Sequence, residues 1–178
     1  MTCIVGLVQN GKVHMAADSA ASDSNSVHKR KDSKIFVVDE YLIGFSNSFR
    51  MGQILKHDLI PPRPIKKDLE RIMCIDFVEA VQNCLDKNKF ILESDEKSTN
   101  IADLIIGVQG RIFVMDTDFQ MGEYKDNYFS IGSGSEYALG SLHSTKHIKT
   151  PKTRLLKALA ASAEYTMGVE PPFIYHSL

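Results

Sequence analysis

Residues 1–19 of the chain read MTCIVGLVQNGKVHMAADS. This stretch predicts two antiparallel strands, because apolar residues fill Cys3–Val8 and Val13–Ala17 and Asn10-Gly11 between them is a strong hairpin-turn signal. Apolar side chains lie on both faces of the first strand, which is typical of a strand covered on both sides in a layered domain. The second strand ends at Asp18, so we expect Asp18 to return close to the N-terminus.

The rest of the chain groups strands apart from helices. Predicted strands are Ile35–Val38, Tyr41–Ile43, Leu104–Val108, Ile112–Met115, Gln120–Tyr124 and Tyr128–Ile131. Predicted helices are Phe49–Lys56 with Ser48 as N-cap, Asp68–Lys87, Glu136–His143 and Thr153–Met167. Ser19–Lys31 is expected to be a loop or a ragged strand, Lys87–Asn100 a polar loop, and the tail after Pro171-Pro172 irregular. This order predicts an α+β domain with two stacked antiparallel sheets between two helix layers, a four-layer α/β/β/α sandwich.

Composition restricts the function classes. The 178 residues match one domain, 1–178, and a net charge of -1 gives no overall basic field for nucleic acid or an anionic membrane surface. No apolar run approaches the ~20 residues of a membrane span. Three cysteines without metal-site spacing favour a reducing, cytoplasmic location. The N-terminus does not resemble a signal peptide, and we expect neither a metal nor another cofactor.

The second residue suggests a chemistry. Removal of Met1 by an aminopeptidase is expected when the next residue is small, and Thr2 would then carry a free α-amine beside its hydroxyl. An α-amine titrates near ~8, so it can accept the hydroxyl proton at neutral pH, and one residue supplies both nucleophile and base. A nearby lysine would favour the free amine, and a carboxylate would position that lysine. Asp18 and Lys34 are the candidates for these two partners.

These residues carry a resemblance to a known family. Thr2–Gly6 with Lys12–Ser19 resembles the start of a proteasome β-subunit or of its bacterial proteasome-like relative, which are N-terminal-nucleophile hydrolases. Lys34 before the apolar strand Ile35–Val38 resembles the lysine that follows in the family. Ile131–Ala138 is similar to the family's Gly-Ser-Gly segment, and the resemblance extends weakly through the last helix.

The resemblance implies roles for individual residues. Thr2 would be the nucleophile and base, Asp18 and Lys34 would set the electrostatics around it, and Ser133 would hydrogen-bond the amine or a bridging water. The backbone N–H near Ser48 would stabilise the oxyanion.

It also implies a substrate-binding region. Ser46 falls where the family places a substrate-pocket residue. Ala21 and Ser22 fall on the strand that would pair with an extended peptide.

The resemblance further implies a threonine-type endopeptidase that self-associates into a hexameric or heptameric ring, either single or stacked. An ATP-driven unfoldase is a possible partner, because the chain contains no ATPase motif of its own. Protein or peptide substrates are expected, without nucleic acid or membrane.

Three positions depart from the family pattern. Ser48 replaces a usual glycine, Ala20 replaces a common arginine, and Glu164 lies near the place of an aspartate in the last helix. A catalytically silent ring- or filament-forming protein and a small-molecule amidase therefore remain alternatives.

Overall fold

The computed structural model describes residues 1–22, 25–90 and 102–178. Within these residues it has eleven strands: β1 Ile4–Gln9, β2 Lys12–Ala17, β3 Ala20–Ser22, β4 Val27–Lys29, β5 Ile35–Val38, β6 Tyr41–Phe45, β7 Leu104–Val108, β8 Arg111–Met115, β9 Met121–Glu123, β10 Tyr128–Ile131 and β11 Ile174–Ser177. The helices are α1 Phe49–Asp58, α2 Leu69–Arg71, α3 Val78–Lys87, α4 Ser135–Ser144 and α5 Pro151–Tyr165.

Two antiparallel sheets form the centre of the molecule. One has the strand order β10-β1-β2-β11, and the other has the order β5-β6-β7-β8-β9. The predicted hairpin at Asn10-Gly11 is confirmed: both turn residues have positive φ, 54° and 70°, and β1 pairs with β2 from Ile4↔Ala17 to Gln9↔Lys12. A separate pair, β3 with β4, occupies part of the predicted loop at Ser19–Lys31, of which 23–24 lie outside the described residues.

Three apolar clusters define the layers. A cluster that includes Ile4, Met15 and Ile105 takes residues from both large sheets, so the sheets stack face to face. A second cluster joins the outer face of the β1 sheet to helices α4 and α5, and a third joins the outer face of the β6 sheet to α1 and α3. The predicted four-layer α/β/β/α sandwich is therefore confirmed.

The helices agree with prediction in position and differ in detail. Ser48 caps α1, since its Oγ accepts a hydrogen bond from the Met51 N–H at 3.2 Å. The predicted helix over Asp68–Lys87 contains a π-helical segment, Ile72–Phe77, between α2 and α3. Apolar periodicity finds the buried face of such a helix but does not reveal a change of hydrogen-bond spacing. Of the predicted loop at Lys87–Asn100, positions 91–100 lie outside the described residues.

The C-terminal tail corrects the prediction of an irregular segment. Residues Ile174–Ser177 form β11, which pairs antiparallel with β2 from Ile174↔Ala17 to Ser177↔His14. The physical reason is that β2 offers an open edge, and Ile174 and Tyr175 are good strand formers that can pair with it. Pro171-Pro172, on which the prediction of an irregular tail rested, come before the strand. Among the described residues, no helix combines the length and apolarity needed to cross a membrane.

The close packing of the two sheets can be tested at Gly107. A Cβ on Gly107 in β7 would lie 2.4 Å from Cγ1 and 3.0 Å from Cβ of Val13 in β2. Val13 is β-branched and cannot move away easily, so we expect Gly107→Ala to lower the free energy of unfolding by about 1–3 kcal/mol. Urea unfolding at equilibrium measures this change.

Gly140→Ala is the matched control. Gly140 lies in α4 with nothing within 4 Å of an added Cβ, so alanine should leave stability unchanged or raise it by up to about 1 kcal/mol. Equal effects of the two substitutions would contradict the packing described here.

Candidate active site

The site forms where several strands of both sheets end. Thr2 precedes β1, Asp18 follows β2, and Ser133 follows β10. The register pairs Ile4 with both Ala17 and Ile131, so the residues just beyond these three positions meet at one end of the sheet. Lys34 immediately precedes β5 of the second sheet and reaches the same place.

The centre of the site is a buried ion pair. The Lys34 ammonium donates to Asp18 Oδ1 at 2.8 Å and to Oδ2 at 2.9 Å, and both residues are 1% exposed. Backbone N–H groups of Cys3 and Ala20 donate to the same two carboxylate oxygens at 2.9 and 3.0 Å. Burial lowers the pKa of Lys34, and the Asp18 charge opposes that shift. A buried carboxylate with this many donors holds the lysine in one position.

Thr2 lies beside this pair, and the two share the Met1 carbonyl oxygen as a hydrogen-bond acceptor. Its backbone N–H donates to Ser133 Oγ at 3.1 Å, and its hydroxyl donates to the Met1 carbonyl oxygen at 2.7 Å. Lys34 Nζ lies 3.3 Å from the same Met1 oxygen. The four residues predicted as the catalytic group, Thr2, Asp18, Lys34 and Ser133, are therefore brought together around the peptide bond that precedes Thr2.

The Gly-Ser-Gly segment is built to approach Thr2 closely. Gly132 has a φ of 90°, and a Cβ there would lie 2.4 Å from the Thr2 carbonyl oxygen. At Gly134 a Cβ would lie 1.9 Å from the Ser162 hydroxyl, which donates to the Gly134 carbonyl at 3.0 Å. Only glycine allows both approaches without displacing a neighbour.

The last helix supports this segment through a serine. Glu164 is exposed on α5, whereas Ser162 on the same helix is fully buried and contacts Gly134. Ser162 therefore supports the loop that holds Ser133, whereas Glu164 is exposed to solvent.

The predicted peptide-binding strand lies beside the N-terminus. Ala21 and Ser22 are half-buried residues of β3, and Ser22 Oγ accepts a 2.7 Å hydrogen bond from the Met1 ammonium. Burial and, secondarily, the Lys34 charge lower the pKa of this ammonium. An amine at this end of the chain therefore loses its proton more readily than an ordinary α-amine.

The turn after β6 holds the predicted oxyanion donor. The Ser48 N–H donates to the Ser46 carbonyl at 2.8 Å, across Asn47, whose φ is 62°. In this conformation the Ser48 N–H is occupied within its own turn. Ser48 as oxyanion donor stays a prediction, and it requires this short turn to open.

Cys3 is turned away from the site. It is fully buried on the opposite face of β1, against the helix layer of α4 and α5. Burial raises the pKa of its thiol to about 11, so it is an unreactive core residue at neutral pH.

A cleft of about 400 Å³ opens from Thr2. Its lining residues are Met1, Thr2, Ser46, Asn47, Ala102, Asp103, Thr117, Gly132 and Ser133. Sequence reasoning placed Ser46 here but missed Asp103 and Thr117. For Asp103 the signal is strand pairing. Phe45 at the end of β6 pairs with Leu104 at the start of β7, so Ser46 and Asp103 are neighbours just beyond this pair.

A second cleft, of about 440 Å³, lies between α1 and α3, and none of its lining residues belongs to the site around Thr2. It contains acidic residues and Lys87 but none of the groups around Thr2. In the described parts of the chain, no group of three or more His, Cys, Asp or Glu side chains could hold a metal ion.

The buried ion pair makes a testable prediction about stability. Asp18→Asn leaves the Lys34 ammonium buried without a counter-charge, so we expect a loss of about 3–5 kcal/mol in the free energy of unfolding. The double variant Asp18→Asn/Lys34→Met should lose less than the sum of the two single variants.

The matched control is Asp76→Asn, which breaks the exposed pair between Arg71 and Asp76. We expect it to cost less than about 1 kcal/mol. Urea unfolding of all four variants checks this, and an Asp18→Asn protein as stable as Asp76→Asn would refute the importance of the pair.

Comparison with known proteins supports the fold. No protein-family model matches the sequence, and no curated protein matches it. Among solved structures, the chain is similar to the bacterial proteasome homologue BPH of Thiobacillus denitrificans, with a TM-score of 0.79 and 20% identity over 99% of this chain and 97% of that one. The same protein in complex with epoxomicin gives a TM-score of 0.80 and 19% identity over 99% and 98%.

A third similar structure is eukaryotic HslV from Trypanosoma brucei, with a TM-score of 0.70 and 16% identity over 99% of both chains. These similarities extend over nearly the whole chain and agree with the two-sheet, two-helix-layer architecture. The chain therefore has the fold of the proteasome-like N-terminal-nucleophile hydrolases.

Proposed function

We propose that the chain is a threonine-type endopeptidase whose nucleophile is Thr2, in a single peptidase domain over residues 1–178. The observation that carries this proposal is that the Thr2 hydroxyl and the buried Lys34 ammonium, which is held by Asp18, meet at the same Met1 carbonyl oxygen, while the Thr2 N–H donates to Ser133. Burying a lysine–carboxylate pair carries a large desolvation penalty, so such a pair contributes little net stability to a fold. Its position next to a hydroxyl and a main-chain nitrogen therefore favours a catalytic role. Perturbed ionisable groups beside a cleft are typical of catalytic sites.

The reaction follows from these contacts once Thr2 carries a free amine. That amine accepts the Thr2 hydroxyl proton while Oγ1 attacks the carbonyl carbon of the scissile amide. The Lys34 charge stabilises the developing alkoxide, and Ser133 orients the amine. The tetrahedral intermediate collapses as the C–N bond breaks and the proton passes to the leaving amine. Water then hydrolyses the acyl-threonine ester, with the same amine as base.

Removal of Met1 is part of the proposal. While Met1 is attached, the Thr2 nitrogen is an amide that donates to Ser133 and cannot accept a proton. The Thr2 hydroxyl is also engaged by the Met1 carbonyl. Met1 is 45% exposed, which leaves it accessible to an aminopeptidase.

The oxyanion would be received by the Ser48 N–H after the turn at Asn47 opens. In the free protein the Ser48 N–H donates to the Ser46 carbonyl oxygen. On substrate binding it would exchange this acceptor for the oxyanion of the substrate. The remaining predicted contacts of the substrate are with Ser46 and with the edge of β3 at Ala21 and Ser22.

We further propose that the chain works in the cytoplasm as a homo-oligomeric ring, hexameric or heptameric and either single or stacked, with an ATP-dependent unfoldase as a partner. Large apolar side chains are exposed on two sides of the domain. Ile60 is 83% and Ile75 is 55% exposed on one side, and Met167 is 79% exposed beside Tyr165 on the other. In the proposed ring these side chains would be buried between subunits.

The similar structures add a chemical argument. The Thiobacillus protein is described in complex with epoxomicin, and we propose that the same inhibitor binds at Thr2 of this chain. The inhibitor would enter the cleft lined by Thr2, Ser46 and Ser133.

Substitution of Thr2 tests the proposed function. We expect Thr2→Ala to lower kcat/KM on an internally quenched peptide by about 10³-fold or more, because the nucleophile is lost. Thr2→Ser is the matched control and should retain measurable activity, because it keeps a hydroxyl and a small second residue that permits Met1 removal. Intact-mass spectrometry of each preparation establishes whether Met1 is absent before activity is compared.

The other outcomes of these measurements would favour one of the alternative functions. Unchanged turnover in Thr2→Ala would refute the mechanism, and retained Met1 in an inactive ring or filament would favour a silent structural protein. A Met1-free wild type that hydrolyses small amides but not peptides would favour the amidase. Sedimentation of the same preparations should give the mass of six or seven 19.9 kDa chains, or twice that number if rings stack. A monomer would contradict the ring.

A further inference from the structure

We propose that Asp103 is a specificity-determining residue that selects substrates carrying a lysine or arginine side chain next to the scissile amide. This inference rests on the proposed peptidase function and adds a substrate class to it. The resemblance to the proteasome-like family did not assign a role to this position.

The position of Asp103 carries the first part of the argument. Its carbonyl oxygen accepts a 3.0 Å hydrogen bond from the Ser46 N–H, which fixes the residue at the end of the β6–β7 pair. Asp103 lines the same cleft as Thr2, Ser46 and Ser133. A substrate group that occupies this cleft while its carbonyl carbon meets Thr2 therefore comes within reach of the Asp103 carboxylate.

The charge of the cleft carries the second part. Asp103 is the only charged side chain on the described lining of this cleft. None of the ion pairs formed by the described residues involves it. The other ionisable group on this lining is the α-amine of Met1, which is hydrogen-bonded to Ser22 and whose pKa is lowered by burial and by the Lys34 charge. Among the described lining residues, the Asp103 carboxylate therefore has no cationic side chain as a partner.

The environment of Asp103 favours a cation from outside. Burial and the negative charge of Asp116 raise the pKa of Asp103, with the Ser46 hydroxyl acting in the opposite direction. Both the burial and the Asp116 charge disfavour the ionised form of Asp103. A cationic side chain in the cleft would stabilise that ionised form and so offset both effects. The volume of about 400 Å³ is within the range of small-molecule pockets and can accept a long side chain.

A binding experiment tests the proposal without relying on catalysis. The probe is a set of end-blocked alanine octapeptides in which a single lysine is moved through each position, with norleucine peptides as the uncharged match. Affinity is measured with the Thr2→Ala variant, which removes chemistry and keeps the rest of the cleft. We expect one lysine position to bind about fivefold more tightly than its norleucine match, the size of one partly exposed ion pair.

Substitutions at Asp103 test whether this residue causes the preference for the lysine peptide. In the Thr2→Ala background, Asp103→Asn should make the lysine and norleucine peptides bind equally, and Asp103→Lys should shift the preference to glutamate. Asp118→Asn is the matched control, because Asp118 is an exposed carboxylate nearby that does not line the cleft. It should leave the lysine preference unchanged.

The outcomes separate this inference from the proposed function. Equal binding of all lysine and norleucine pairs, or a lysine preference that persists in Asp103→Asn, would overturn the role of Asp103. A lysine preference that depends on Asp103, together with a Met1-free wild type that turns over no peptide, would support the inference and overturn the peptidase. If both hold, kcat/KM on the mature wild type should show the same lysine preference.

Discussion

The carboxylate of Asp18 is the group around which the two sheets and the N-terminus are arranged. Its two oxygens accept hydrogen bonds from the backbone N–H groups of Cys3 and Ala20. Each oxygen also accepts one hydrogen bond from the Lys34 ammonium. Asp18 belongs to the end of β2 in one sheet, and Lys34 to the start of β5 in the other. The ion pair therefore connects the stacked sheets at the end where Thr2 lies. Because a buried charge without its partner is costly, the position of Lys34 is tied to the integrity of the fold.

This constraint determines what the rest of the site can do. Lys34 is held on one side by Asp18, and its remaining contact is with the Met1 carbonyl oxygen. The Gly132-Ser133-Gly134 segment approaches Thr2 from the other side, where a Cβ on Gly132 would meet the Thr2 carbonyl and a Cβ on Gly134 would meet the Ser162 hydroxyl. Thr2 thus has a fixed position between a cation and a hydroxyl, and the cleft toward Ser46 and Asp103 is the direction left open for a ligand.

Much of this could be predicted from local patterns. Turn residues and apolar periodicity located the hairpins and the four predicted helices, and the ends of β1 and β2 placed Asp18 beside Thr2. The strand at Ile174–Ser177 was missed because Pro171-Pro172 indicated an irregular tail, although Ile174 and Tyr175 favour a strand, and the open edge of β2 accepts it. Asp103 was missed because its place in the cleft depends on the pairing of β6 with β7, which are distant in the chain. The hydrogen bond that occupies the Ser48 N–H depends on a three-residue turn, and residue type alone does not reveal it.

The central claim is that Thr2, once its amine is free, is the nucleophile. The most direct measurement is peptide mapping by mass spectrometry after incubation with a hydroxyl-directed covalent inhibitor. Our account predicts one adduct per chain, located on Thr2 and found only in chains that lack Met1. An adduct on another residue, or Met1-free chains that remain unmodified, would contradict it.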